Sequence, residues 1–405
     1  MKILFLTDNF PPEVNAPASR TYEHCVEWVK HGAEVTIITC APNFPQGKVF
    51  GGYKNKWRQE EMMDGIRVIR VWSYIAANKG FAKRILDYIS FSITAFIHAL
   101  FIKTDVIVAT SPQFFTAISG RWLSFFKRKP WIMEVRDLWP ESIKAVSAMK
   151  DNGLVFSYLE WVERRLYQNA DKIIVVTDAF KKKISERGVD SNKISVVKNG
   201  VLLDKFKPLP KNETLLVRHN LKSKFIFGYL GTHGMAHKLD FVVRCAAHID
   251  NPDIHFLFIG NGAEKENVVA LAKELSVTNC TFLDSVPKSD IAEYISLTDI
   301  ALVNLMKSDT FRTVIPSKIF ENASMQKPIL LGVEGESKEI IGHYGAGLCF
   351  EPENEQEFLK AVKILKPDSD LYKRLQAGCD RLAQDFDRRK LAVKMLEEVE
   401  EVERV

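Results

Sequence analysis

Short apolar runs alternate with stretches of helical period along almost the whole chain. MKILFLTD, AEVTIITC, GIRVIRVW, DVIVATSP, KPWIMEVRD, ADKIIVVTD and KISVVKNG are too apolar to alternate in and out. Runs apolar on both faces predict parallel strands covered on both sides by helices. The pattern restarts after a Pro- and Lys-rich gap at residues 205–212, with FIFGYLG, IHFLFIG, CTFLDSV, DIALVNL, PILLGV and AGLCFEP. Two successive β/α series predict an α/β chain of two tandem, doubly wound, Rossmann-like domains. Their expected bounds are residues 1–203 and 204–384. Residues 385–405 predict a charged amphipathic helix, with Leu391, Met395 and Val399 at i, i+4 and i+8, packing back towards the first domain. There is no internal repeat and no low-complexity tract.

Two stretches of the first half break the ordinary pattern. Between residues 83 and 98 the polar positions Lys83, Asp87, Ser90, Thr94 and His98 form one narrow helical stripe and leave a very wide apolar face. The charge-free run 88–102 makes about 22 Å of helix, short of the ~30 Å hydrocarbon core of a bilayer, so it does not span one. Either the helix is buried against the sheet, or its apolar face dips into a membrane surface or lines a lipid groove. Nearby, Trp122, Phe125 and Phe126 precede Lys127, Arg128 and Lys129. That cluster suits an anionic lipid interface, and it equally suits a helix C-terminus whose cations meet the last carbonyls.

Composition narrows the class. At 405 residues, 46% hydrophobic and 26% charged, the chain is neither disordered nor collagen-like and can bury a sizeable core without disulfides. The six cysteines are scattered with no CxxC pair, against a disulfide scaffold or zinc ribbon and in keeping with a reducing compartment. The opening MKILFLTDNF is too short for a signal peptide and reads as a first buried strand. The net charge of +5 conceals an asymmetry. Residues 1–200 hold 29 Lys and Arg against 20 Asp and Glu, whereas residues 201–405 hold 27 against 31. A basic half joined to an acidic half points to an anionic surface or substrate met by the first half, unless the split is random drift.

Candidate chemistry lies in four loops. The first loop, from Asp8 to Arg20, follows the first strand and is built of small residues that would let a ligand approach the next helix N-terminus. In the second half, FIFGYLGTHGMAHKLD puts Gly231, Thr232, His233 and Gly234 after a strand. Such a loop can cradle a phosphate, with His237 or Lys238 adding charge. FIGNGAE gives a second loop with Gly260, Asn261 and Gly262. His233 and His237, four apart, could mimic a metal pair, but no third ligand is near in sequence. In FRTVIPSKIFENASMQKPIL, Pro316 and Ser317 suit a helix start, with Lys318 and Glu321 three apart on one face. The glutamate could hold a ribose diol and the lysine a diphosphate, or the two could form an ordinary surface ion pair.

Taken together, KILFLTDNFPPEVNAPASR, EVRDLWPES, KNGVLLDKF, GYLGTHGMAHKLD, FLFIGNG and IPSKIFENASMQKPIL resemble, in order and over nearly the whole chain, the retaining glycosyltransferases of family 4. FRTVIPSKIFE and EVRDLWPES look most like O-antigen and capsule L-fucosamine (N-acetyl-L-fucosamine) transferases of the WbuB type. The resemblance implies the GT-B fold, two Rossmann-like domains facing each other across a cleft. It implies that Glu321 binds the nucleotide ribose and Lys318 faces the diphosphate. Gly231, Thr232, His233 and Gly234 would touch the phosphates, with His237, Lys238, Arg312, Pro316 and Ser317 around the same donor. Gly260, Asn261 and Gly262 would lie under the nucleotide, and Asp284 and Val286 would cap the base. Arg136 and Asp137 would take the catalytic position where the family commonly has a His or a His-Asp pair. Asn15, Ala16, Ser19, Arg20 and Glu141 would meet the acceptor side.

Three departures qualify this transfer. The first glutamate of the family's E-x7-E motif is Thr313 here, so recognition of the donor sugar must differ; a 6-deoxy sugar is compatible with the loss. The family's phosphate-binding Arg and Lys align with Thr232 and His237, leaving Lys238, Lys318 or Arg312 to supply the cation. Gln326 stands where the family has Gly at a helix end. The two Asp-x-Asp triplets, Asp368-Ser369-Asp370 and Asp385-Phe-Asp387, both fall near the C-terminal end, after the donor-side motifs, so no metal and no other cofactor is expected. The implied partners are a nucleotide-sugar donor, expected to be UDP-linked, a polyprenyl-diphosphate-linked acceptor and an anionic inner-membrane surface, with no nucleic acid. The expected location is cytoplasmic and peripheral to that membrane. A GT-B sugar-nucleotide 2-epimerase and a non-catalytic partner subunit are the competing readings. A dinucleotide-binding dehydrogenase is disfavoured because no G-x-G-x-x-G follows the first strand.

Overall fold

A computed structural model describes residues 1–44, 46–75, 81–111, 115–139, 153–365 and 369–404. The chain forms two compact units, Met1–Asn199 with Arg388–Val405, and Gly200–Asp387.

The first unit is an eight-stranded sheet in the order β3-β4-β2-β1-β5-β6-β7-β8. Its strands are β1 (Lys2–Leu6), β2 (Glu34–Cys40), β3 (Arg58–Met63), β4 (Ile66–Val71), β5 (Val106–Thr110), β6 (Trp131–Val135), β7 (Lys172–Val175) and β8 (Ile194–Val196). All pairs are parallel except β3 against β4. The sequence reading missed β3, RQEEMM, because an edge strand with charged residues along it lacks the apolar run of a buried one. On one face, α2 (Phe81–Ala99), α3 (Phe115–Lys127), α4 (Leu154–Asn169) and α5 (Asp178–Glu186) share a core built on Phe91, Leu123, Trp131, Leu166 and Ile184. On the other, α1 (Ala16–Lys30) is joined by the C-terminal helix Arg388–Glu403, whose Ala392, Met395 and Val399 are buried there. Trp28 Nε1 donates to the carbonyl of Ala392 at 2.8 Å.

Helix α2 divides its wide apolar face: Phe91, Ala95 and Ala99 enter the core, while another apolar arc faces outward. From Ser90 onward the polar stripe faces inward, Lys83 at its start being exposed: Thr94 Oγ1 donates to the carbonyl of Trp72 at 2.7 Å, Ser90 Oγ accepts from the amide of Tyr74, and His98 is buried against Trp57. Those polar groups satisfy the chain that leaves β4, so the outward arc is left to Leu86, Ile89, Ile93 and Ile97. Ile93 is 55% exposed. The ridge continues through Phe101 to Trp122 and Phe125 of α3, Phe125 being 70% exposed, and Phe96 packs edge-on against Phe126. On α4, which adjoins α3, Tyr158 and Trp161 are exposed and stacked, with Arg165 over the Trp161 ring. The neighbouring cations are partly engaged. Lys127 Nζ donates to the carbonyl of Leu100 at 3.0 Å, and Lys129 lies 3.8 Å from Asp105. Among the described residues no helix is long and apolar enough to cross a membrane.

The second unit is a six-stranded, all-parallel sheet in the order β11-β10-β9-β12-β13-β14. Its strands are β9 (Phe225–Leu230), β10 (Ile254–Ile259), β11 (Cys280–Leu283), β12 (Ile300–Asn304), β13 (Ile329–Gly332) and β14 (Gly347–Cys349), all six expected from the sequence. This is the Rossmann order, in which the direction of winding reverses between β9 and β12 and opens a crevice at their carboxyl ends. The helices are α6 (Glu213–Arg218), α7 (Leu239–Ala246), α8 (Lys265–Glu274), α9 (Ile291–Ser296), α10 (Lys318–Ser324), α11 (Glu336–Tyr344), α12 (Glu355–Ile364) and α13 (Asp370–Asp385), with the Arg388–Glu403 helix of the first unit as α14. Gln326, two residues past α10, adopts φ +54°, the left-handed conformation that a glycine would take without strain.

Candidate active site

The site grows from the carboxyl ends of β9, β10 and β12. The loop after β9 and the loop after β10 lie directly on one another. A Cβ added to Gly260, at φ +149°, would stand 1.8 Å from the carbonyl oxygen of Gly231, and one on Gly262 would stand 2.4 Å from that of His233. These glycines are therefore required first by chain-on-chain packing. Part of the expected phosphate cradle is also committed within the protein: the amide of Gly231 donates to Ile259 and that of His233 to Asn261. Asn261 Oδ1 in turn accepts from the amide of Gly262.

Three basic side chains gather there around one ring. Tyr229, the fifth residue of β9, is fully buried, and its hydroxyl donates to the carbonyl of Thr232 at 2.7 Å. Lys318 Nζ lies 3.7 Å from the centre of the Tyr229 ring, and the rings of His233 and His237 stand at 5.8 and 5.9 Å from it. Lys318 as a residue is partly exposed, but its nitrogen is shut from solvent and has no hydrogen-bond acceptor. Both nitrogens of His233 and Nδ1 of His237 are likewise buried without partners. An unpaired buried ammonium is costly. Burial brings the Lys318 amine down to about 7, with Glu321 acting in the other direction. Burial and the neighbouring lysines bring His233 down to about 4; burial, Lys318 and His233 do the same for His237. Both histidines are neutral at pH 7.

The remaining donor-side candidates divide. Lys238, at φ +48°, pairs with Asp240 at 3.0 Å, and Arg312 is exposed, 3.5 Å from Asp309 in a 3-10 turn. Of the three cations proposed from sequence, Lys318 is the one at the ring. Pro316 and Ser317 lead into α10, and Glu321 sits half-buried one turn after Lys318. Thr313, at the end of that 3-10 turn, donates to the carbonyl of Thr310 at 3.0 Å. Asp284 is exposed and held by Lys265, with Val286 two residues on. Lys265 also donates to the carbonyls of Gly260 and Leu283, clipping the ends of β10 and β11 together.

The structure adds Tyr229, Lys265 and Asn304, which the motifs did not single out. Asn304 Nδ2 donates to the carbonyls of His237 and Lys238 from the end of β12, fixing the loop that carries both. The signal was present: each lies at a strand end or a helix start at the switch point.

In the first unit, Asn15 caps α1, with Oδ1 accepting from the amide of Ala18 at 2.8 Å, and Ala16 begins the helix. Ser19 is buried. Arg20 is 2% exposed and faces the core. It donates to Glu134 at 3.0 Å and to the carbonyls of Lys198 and Val197 at 2.9 Å, which makes it a clamp between strands. Arg136 and Asp137 follow β6; the Arg136 amide donates to Ser111, while its Nε and Nη1 are buried without partners among the described residues. Burial brings Arg136 down to about 10, against the pull of Glu134. Glu141 lies outside the described residues. Among the described residues no three His, Cys, Asp or Glu side chains gather as a metal site would require.

Comparison with known proteins gives this geometry its context. Residues 15–200 match the model of the glycosyl transferase 4-like domain, and residues 212–378 match that of glycosyl transferases group 1. The chain is 23% identical over 375 residues to WcaI of Escherichia coli (strain K12), named for a glycosyl transferase role in colanic acid biosynthesis; the match covers 90% of this chain and 91% of that one. Among solved structures it resembles Anabaena HepE in complex with UDP, at TM-score 0.73 and 14% identity over 99% of this chain and 100% of that one. It also resembles the sucrose-phosphate synthase of Thermosynechococcus elongatus, at TM-score 0.76 and 14% identity over 99% and 98%. With two Rossmann-like units matched in turn by these two domain models, the chain is a glycosyltransferase of the 4-like and group 1 type.

Proposed function

We propose that this glycosyltransferase moves a 6-deoxy amino sugar, N-acetyl-L-fucosamine or a relative, from a UDP-linked donor to a polyprenyl-diphosphate-linked saccharide in O-antigen or capsule assembly. The observation that carries the donor half of this reading is the Lys318 side-chain nitrogen, buried beside two histidines with no acceptor of its own. A site built this way suits an anion. Departure of the nucleoside diphosphate puts new negative charge beside Lys318, so the contact is stronger in the transition state than in the ground state. Glu321 would hold the ribose through charge-assisted hydrogen bonds. UDP as the base-bearing group is supported by the HepE complex, and surface-polysaccharide assembly by the name of WcaI. Thr313 in place of a glutamate supports a donor sugar with one hydroxyl fewer. Retention of configuration follows the family expectation. Metal independence is our reading from the scattered acidic residues, and activity should persist in EDTA.

The reading includes peripheral attachment to an anionic membrane. The outward ridge Ile93–Phe101–Phe125, the aromatic pair on α4 and a first unit with nine more Lys and Arg than Asp and Glu over residues 1–200 support it. The test of the donor half is a titration with UDP. Glu321→Ala should weaken binding at least tenfold, because each lost charge-assisted bond is worth roughly 1.5–3 kcal/mol. Unchanged affinity would remove Glu321 from the site. Release of UDP from a panel of UDP-sugars then identifies the sugar.

A further inference from the structure

Lys318 is held in an unusual way for a phosphate-binding lysine. Its nitrogen touches an aromatic face and no oxygen; a methyl group on Gly231 would stand 2.8 Å from it, so the backbone closes over it as well. The groups facing it can be named. Glu321 lies on its own helix, Tyr229 comes from β9, and His233 and His237 come from the loop beyond; Lys265, at the start of α8, acts on His233. Both histidines are neutral and Tyr229 is held protonated by burial, so Glu321 is the one anionic group in this set.

Resting on the donor-site reading above, we propose that Lys318 waits in the empty site largely as a neutral amine on the Tyr229 ring and takes up a proton as the diphosphate arrives. Tyr229 is then a positioning residue: its ring fixes the amine, and its hydroxyl, bonded to Thr232, fixes the loop. A neutral amine on a ring avoids most of the desolvation cost of an ammonium, and the incoming anion restores the preference for charge. With the amine near 7 when empty and higher when bound, donor affinity falls as pH rises above 7. By linkage the fall approaches tenfold per pH unit, until the bound lysine itself titrates.

The experiment is calorimetric titration of the whole chain with UDP at pH 8, where the nucleotide phosphates are already ionised, in buffers of different ionisation enthalpy. The expected result is uptake approaching one proton per UDP bound. Lys318→Arg, charged throughout, should bind UDP with no uptake; Lys318→Met should bind weakly, also without uptake. Tyr229→Phe keeps the ring and should keep the uptake, whereas Tyr229→Leu removes the face that favours the ammonium and should move the midpoint of uptake to lower pH. UDP binding with the same heat in every buffer overturns the proposal and leaves the donor site standing. Uptake that persists in Lys318→Arg overturns it by placing the proton on His233 or His237. Failure of both UDP and inorganic pyrophosphate to bind overturns the donor-site reading and this inference with it.

Discussion

Each unit buries a cation near the carboxyl ends of its strands, and the two are treated in opposite ways. Arg20 is surrounded by acceptors: the Glu134 carboxylate and the carbonyls of Val197 and Lys198 take up its guanidinium, and Asn199 lies at 3.4 Å. Lys318 has a ring and no acceptor. A buried charge with its partners in place is costly to strip of one of them, whereas a buried basic group left without an acceptor calls for an explanation, and on our reading an incoming anion supplies it. On this account Arg20, expected on the acceptor side, is a structural clamp, and Lys318, expected at the diphosphate, is the group left available to a ligand.

The largest expected effect tests the structural side. Arg20→Ala leaves Glu134 buried without its ion-pair partner, and removal of one member of such a pair costs about 3–5 kcal/mol. Urea unfolding followed on the first unit should show it, and an unchanged midpoint would mean that Arg20 is not the clamp. Next, Gly260→Ala sets a methyl group against the carbonyl of Gly231 at a φ of +149°. Strain and overpacking should destabilise the second unit by roughly 2–3 kcal/mol. UDP affinity should fall with it, and normal stability and binding would show that the two loops have room to part.

Lys318→Met should do the reverse of Arg20→Ala. In the folded chain the Lys318 amine lies near 7, against 10.5 for an ordinary lysine. The unfolded chain therefore binds more protons between those values, so the stability of the empty protein rises with pH across that window. The penalty is present in full below about pH 7, and removing it with Met should stabilise the second unit there by several kcal/mol, at most the ~5 kcal/mol that a fall from 10.5 to about 7 carries at ~1.4 kcal/mol per pH unit. The gain should fade towards pH 10.5, and urea midpoints at pH 6.5 and 9.5 measure it. Equal shifts at both would mean that the lysine does not titrate differently on folding.

How much of this was legible in the sequence depends on the range of the interaction. Both series of parallel strands, the restart between them and the C-terminal helix follow from local apolar patterning, and thirteen of the fourteen strands were expected from it. The charged edge strand Arg58–Met63 lacks that pattern. The orientation of α2 was not legible, because the polar groups it satisfies, at Trp72 and Tyr74, lie in a preceding loop that periodicity does not see. The role of Arg20 depends on residues nearly 180 positions away. At the donor site the loops were legible as glycine-rich turns. Which cation lies beside them without a partner was not, because that depends on Asp240 and Asp309 occupying the other two.

The smallest effect sharpens the comparison of surfaces. Lys127 donates to the carbonyl of Leu100 and Lys129 lies near Asp105, so the cluster adds closer to one cation than three. Replacing Lys127, Arg128 and Lys129 by Gln should weaken sedimentation with anionic vesicles by about 1 kcal/mol, or about fivefold, at low salt. Ile93→Glu with Phe125→Glu should remove most of the binding at every salt concentration. Equal sedimentation of that double variant and the wild type would make the ridge unrelated to lipid.

The central claim, that the bare cation of the second unit is there for the donor diphosphate, is tested most directly by titrating UDP into the wild type and Lys318→Met at pH 7. The account predicts that the variant is at least as stable as the wild type and binds UDP at least tenfold more weakly, the loss of one charge-assisted contact. A variant that binds UDP as tightly as the wild type would contradict it.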